Sequence, residues 1–291
     1  MQRFIHKENG RKIAYTEYGD AEGRPVFYFH GTPGSRLEGN FADEAGKKLG
    51  YRIIALDRPG YGMSDSQDDR QILDWPDDVR AAAEYLGIGK FGVIGVSGGG
   101  AYALACARAI PELLEFCVVM GSWAPVAEEP ALWAQMAPLD RFFGRLSRSV
   151  RWPFYLAFSG IGGAAKWLPA KAFARSLDSS LCDADREALA DPALAEFFKE
   201  DIKEAFQQGV RGPADDAILL YKPWGFQIDE INAPVDLFHG TEDKFAPFAY
   251  AEYLDENLLY SQLHAYAGEG HFHMMHLFEE VLRRMSDVQN R

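Results

Sequence analysis

Residues 90–105 constrain the fold of this chain more than any other stretch. An apolar run over Phe91 to Val96 ends in Gly95-Val96-Ser97-Gly98-Gly99 and passes directly into small helix-forming residues. This is the sequence of a strand, a sharp turn and a helix. A serine at the apex of such a turn occupies a strained backbone conformation. The strand before it and the helix after it pass so closely that side chains two positions either side would collide. Gly95 and Gly99 remove that collision, and Gly100, Ala101, Ala103, Ala105 and Ala107 keep the helix slim against a sheet. The N–H of Gly98, at the positive end of the helix, would point at an oxyanion formed on a group bonded to Ser97. The competing reading is an ordinary Gly-rich turn with Ser97 as a helix cap.

The rest of the chain decides between the two. With 291 residues, 47% of them hydrophobic, it suffices for one large α/β domain or a core with an inserted subdomain. Its 43 acidic and 30 basic side chains leave a formal charge of −13, so nucleic acid or an anionic membrane surface is repelled at long range, and no basic stripe offsets this. Neither is expected as a partner. Cys106, Cys117 and Cys182 are few, odd in number and widely spaced, which fits a reducing compartment and neither a disulfide framework nor a metal knuckle. No signal-peptide pattern follows Met1, and the longest apolar stretch, Phe116 to Val126, is far below the ~20 residues that span a bilayer. A cytoplasmic location is expected.

Residues 2–18 read as a two-stranded hairpin about Asn9-Gly10, the antiparallel edge of a sheet. Pro25 to Gly31 is a continuous apolar run of the kind covered on both faces by helices, the pattern recurs at Tyr51 to Asp57 and further core strands are legible at 90–96, Phe116 to Met120 and Val235 to His239, with Gln262 to Tyr266 as the last strand. Strands alternating with helices imply a mostly parallel twisted sheet with helices on both faces, an α/β fold. Between Trp123 and Asn232 no comparable strand is legible. That stretch holds five of the six tryptophans, several Pro/Gly breaks and helical windows such as Asp183 to Gln208. The expected organisation is a core of residues 1–122 and 233–291 with a helical cap, 123–232, inserted into it.

Five segments now fall in order, each at the C-terminal end of a strand: His30-Gly31-Thr32-Pro33-Gly34-Ser35, Asp57-Arg58-Pro59-Gly60-Tyr61-Gly62, Gly95 to Gly99, His239-Gly240-Thr241-Glu242-Asp243 and Gly270-His271-Phe272. In these the chain resembles the α/β-hydrolase superfamily, of the kind with a helical cap. The resemblance covers nearly the whole length outside the cap, and it implies the α/β-hydrolase fold.

A serine nucleophile needs a base within hydrogen-bond reach and a third group to orient that base. The resemblance places the base at His271, after the last strand, and the acid at Asp243, in the family pattern His-Gly-x-x-Asp. His273, His276 and the adjacent Glu242 are the competing choices. A turn-capping role is the alternative for Asp243. The spacing of His271, His273 and His276 matches no standard zinc-ligand pattern, and no metal is expected. The family's second oxyanion donor is the backbone N–H of Thr32, beside that of Gly98. His30 is expected to be structural, and Asp57, Arg58 and Gly60 to brace the neighbouring loop, Arg58 as an ion-pair partner. Trp123 either lines the acyl pocket or is a core or hinge tryptophan.

The expected activity is that of a serine hydrolase with no cofactor, cleaving a small or medium carboxylic ester through an acyl-enzyme on Ser97. Serine at the turn argues against relatives that use aspartate there. Proline-iminopeptidase-like, carbon–carbon bond, lactone and perhydrolase chemistry stay open, as does a ligand receptor on a hydrolase scaffold. An aminopeptidase would need a cap carboxylate; Glu128, Glu129, Glu196 and Glu204 exist, and the sequence singles out none.

Overall fold

A computed structural model describes residues 3–147 and 150–289. Its eight strands are β1 (Arg3–His6), β2 (Lys12–Gly19), β3 (Arg24–Phe29), β4 (Tyr51–Leu56), β5 (Phe91–Val96), β6 (Leu114–Met120), β7 (Val235–Gly240) and β8 (Ser261–Tyr266), joined in one sheet in the order β1-β2-β4-β3-β5-β6-β7-β8. β1 and β2 form the antiparallel hairpin, with Gly10 in its turn at φ +83°. β2 also runs antiparallel to β4, and the other pairings, from β4 through β8, are parallel.

Alternation along β3 shows why the sheet is covered twice. Phe27 and Phe29 enter a core layer that includes Trp75, Tyr102 and Leu104, while Val26 and Tyr28 enter the opposite layer with Ile53, Val118 and Phe278. Every residue of β5 is buried, as a strand between two helical layers must be. The closing helix, Phe278–Gln289, packs its Val281, Leu282 and Met285 into the second layer.

Between Met120 and Val235 the chain is helical, with no strand among the described residues. Its longest helix is Trp152–Trp167, and the window beginning at Asp183 is two helices rather than one: Asp183–Ala188 ends, Asp191 accepts a hydrogen bond from the Ala193 N–H as an N-cap, and Pro192 starts Pro192–Ala205. A proline at the first helical position cannot continue the preceding helix. These helices lie against the loops that leave the C-terminal strand ends, where Ala205 C=O accepts from the Gly62 N–H.

The turn after β5 is as tight as its glycines imply. A Cβ on Gly95 would stand 2.4 Å from the Gly99 carbonyl oxygen, and a Cβ on Gly99 would stand 2.2 Å from that of Phe29. Both obstacles are backbone, so no side-chain movement relieves them. A Gly99→Ala variant is expected to lose about 3 kcal/mol or more of stability, the upper end of overpacking costs; urea denaturation of wild type and variant measures it.

Candidate active site

Ser97 stands at the end of β5 with φ +54°, one of two non-glycine residues with positive φ among those described. Such a conformation is costly for a residue with a side chain and persists only where the surroundings impose it. Here they do. The Ser97 N–H donates to Met120 C=O at 2.8 Å, its own carbonyl accepts from Gly100 N–H at 3.0 Å, and the crossing of β5 with the following helix fixes the rest.

Asp243 and His271 come from the loops after β7 and β8. Asp243 is buried; its Oδ1 accepts from the N–H groups of Phe245 and Ala246 at 2.8 and 2.9 Å, and its Oδ2 receives the His271 Nδ1–H at 2.6 Å. Burial disfavours the charged imidazole, but the charge and hydrogen bond of Asp243 outweigh it and raise the His271 pKa above the ordinary histidine value. His239 lies 3.5 Å from the same carboxylate, yet its Nε2 is turned to Ala246 C=O at 2.7 Å and burial keeps it neutral. His273 pairs instead with Glu269 at 3.1 Å, and Asp236, at the far end of β7, with His264. No group of three or more metal-ligating side chains occurs among the described residues.

Ser97, His271, Thr32 and Trp123 line one cavity of about 230 Å³ beneath the inserted helices, otherwise walled mainly by apolar side chains such as Phe158 and Leu220. A larger cavity of about 500 Å³, near Ala174 and Leu189, is lined by no serine, histidine or cysteine. Trp123 combines two readings, facing the smaller cavity while packing edge-on to Tyr221 at 5.3 Å. A Cβ on Gly31 would lie 3.5 Å from the Ser97 Cβ, and one on Gly98 only 2.3 Å from Thr32 Oγ1, so Thr32 and Gly98 flank the serine. Among the described residues neither the Thr32 nor the Gly98 N–H has an acceptor. His30 is fully buried, its Nδ1–H donating to Gly31 C=O and its Nε2 accepting from the Arg58 N–H, which braces the same loop from inside.

What sequence reasoning missed is how this loop is held. Three buried aspartates of the inserted helices each grip a loop at the site. Asp216 accepts from Thr32 Oγ1 at 2.8 Å, Arg58 Nη2 at 2.9 Å, Tyr102 Oη at 2.6 Å, and from Tyr61 and Arg70. Although burial penalises its charge, the two guanidiniums hold its carboxyl well below the usual range. Arg58 is thus the expected ion-pair partner, but its carboxylate comes from the insertion. Asp201 accepts from Ser35 N–H and Oγ, and Asp185 Oδ1 accepts from the Phe272 N–H next to His271 at 2.8 Å. No local pattern in the sequence marks any of the three, because their partners lie far away along the chain.

Glu38 is the other unforeseen group. It lines the cavity buried, and takes the Gly31 N–H on both oxygens at 3.1 and 2.9 Å and the Tyr28 hydroxyl at 3.1 Å. Burial drives its carboxyl up to about 7 and that of Asp201 well above its ordinary value, where the charge of Glu38 adds to the effect. By contrast Glu204 pairs with Arg36, Glu196 with Lys199 and Glu128 with Gln227, and none of the four glutamates weighed from sequence lines the cavity. The cavity's second carboxyl is Asp140, which burial also raises.

Known proteins set this geometry in context. The chain is 29% identical over 295 residues to a non-heme chloroperoxidase of Streptomyces lividans, covering 96% of this chain and 95% of that one, and 30% identical over 139 residues to a proline iminopeptidase of Neisseria gonorrhoeae, covering 45% and 43%. The esterase EaEST from Exiguobacterium antarcticum superposes over the full length of both chains with a TM-score of 0.72 at 20% identity, which speaks to the fold. The family model described as alpha/beta hydrolase fold matches residues 24–276. From its parallel sheet to its closing loop the chain belongs to the alpha/beta hydrolase fold family, and it is a hydrolase of that family.

Proposed function

We propose that the protein is a serine hydrolase, needing no cofactor, that cleaves a small or medium, largely uncharged carboxylic ester. The observation that carries the reading is the 2.6 Å bond between His271 Nδ1 and Asp243 Oδ2, made in the cavity that also exposes the strained Ser97. Asp243 fixes the imidazole tautomer so that Nε2 is free to take a proton. Ser97 Oγ attacks the ester carbonyl as His271 accepts its proton, and the N–H groups of Gly98 and Thr32 receive the oxyanion. His271 then protonates the departing alkoxide, leaving the acyl group on Ser97, and water returns through the same base to release the acid. Five groups supply the chemistry. A cavity of about 230 Å³ with mostly apolar walls supports an acyl group of modest size. A second reading, cleavage next to an N-terminal amine as in the iminopeptidase relative, rests on Asp140, the one carboxyl from the inserted helices that lines the cavity.

A serine-directed organophosphonate is expected to label wild type at Ser97 and to leave Ser97→Ala unlabelled, as mass spectrometry of the digest reads; labelling elsewhere, or none, overturns the assignment. Esters of varied acyl length run beside N-terminal proline amides separate the two bond types. Since neutral His271 is the active form and its pKa is raised, the acid limb of the kcat/KM profile should lie above the ordinary histidine value of about 6.5. In Asp243→Asn that limb should move to lower pH while kcat falls by about 10⁴-fold.

A further inference from the structure

The helix Trp152–Trp167 has two apolar faces and neighbours for only one. Phe154 and Ala165 are buried and Phe158 and Ile161 line the catalytic cavity, all within one side of the helix at 100° per residue. On the opposite side Trp152, Leu156 and Trp167 are 67%, 66% and 77% exposed, with Gly160 and Gly163 between them carrying nothing within 4 Å of a would-be Cβ. Lys166 is the only charged residue of the sixteen, and its Nζ lies 5.1 Å from the Trp167 ring. A helix apolar all round is ordinarily buried.

The charge around it departs from the whole. Residues 141–177 hold seven basic and no acidic side chains in a chain of net charge −13. Among the described residues only Arg151 of these meets a carboxylate, Asp215 at 3.7 Å. The uniform repulsion inferred from net charge therefore fails along this segment. Tryptophans at both ends of an apolar helical face, flanked by unpaired Arg and Lys, match an interface of acyl chains beneath anionic headgroups. A second copy of the chain would set basic groups against basic groups, and a nucleic acid would leave the apolar face in water. At sixteen residues the helix is too short to span, and no described helix is long and apolar enough to cross a membrane.

We infer that the outer face of Trp152–Trp167, with the basic residues flanking it, docks the protein peripherally on an anionic lipid surface, placing the roof of the catalytic cavity against the lipid. Docking does not depend on which bond the site cleaves. The test is co-sedimentation of the full chain with vesicles of phosphatidylcholine alone or mixed with phosphatidylglycerol at low ionic strength. The expected result is roughly tenfold or greater preference for the anionic vesicles, since each headgroup-facing cation adds severalfold. Trp152→Ser/Leu156→Ser/Trp167→Ser should lose binding to both, and Arg145→Glu/Lys171→Glu should lose the preference, with thermal unfolding confirming that both variants fold. Ser97→Ala should sediment as wild type does, which separates docking from catalysis. Absent or equal binding to the two vesicle types, binding unaltered in the variants, or a tryptophan-dependent dimer in light scattering without vesicle binding overturns the inference.

Discussion

The carboxylate of Asp216 is the contact on which the rest of the site depends. It is fully buried, is contributed by the insertion, and balances two arginines while bonding Thr32, Tyr61 and Tyr102 of the core. Two guanidiniums in a low-dielectric interior need such a partner, and removing it would strand both. The loop of His30 to Thr32 has no regular structure of its own; it is held by Arg58, which hydrogen-bonds the carbonyls of His30 and Gly31, and Arg58 is held by Asp216. The inserted helices are thus more than a roof. Through Asp216, Asp201 and Asp185 they hold three core loops around Ser97, so the helices between β6 and β7 and the strand-end loops beneath them are tied into one electrostatic unit.

The sheet domain was legible because its signals are local. Apolar runs of strand length, the Asn9-Gly10 turn and the glycines flanking Ser97 each act within a few residues, and each element formed where its own residues favour it. The segments that end the strands carry the family resemblance, which pairs His271 with Asp243, and the structure brings the two into contact. The insertion resisted reading for the opposite reason. Its helices are short, and the break at Asp191-Pro192 depends on a cap rather than on a change of periodicity. Its functional groups are aspartates whose partners lie up to 184 residues away, as Thr32 does from Asp216. Glu38 was equally invisible: a glutamate in a polar-looking loop is ordinarily a solvated one, and only the packed structure puts it under Gly31.

Electrostatics around the cavity falls into two kinds. Asp243 and Asp216 are surrounded by donors, so their negative charge is an asset that orients or anchors a neighbour. Glu38 and Asp201 are buried where the charge of one opposes that of the other, and the Oδ2 of Asp201 has no hydrogen-bond partner among the described residues.

That last pair makes the folded protein a proton acceptor. Below about pH 7 the Glu38 carboxyl keeps a proton that the unfolded chain would surrender near pH 4.5, so unfolding in this window releases it. The contribution of Glu38 to stability is therefore full at and below the unfolded value and fades as pH climbs through about 7. Most carboxylates in folded proteins, paired with cations, do the reverse. With that proton bound, the folded molecule is less negative than its formal −13.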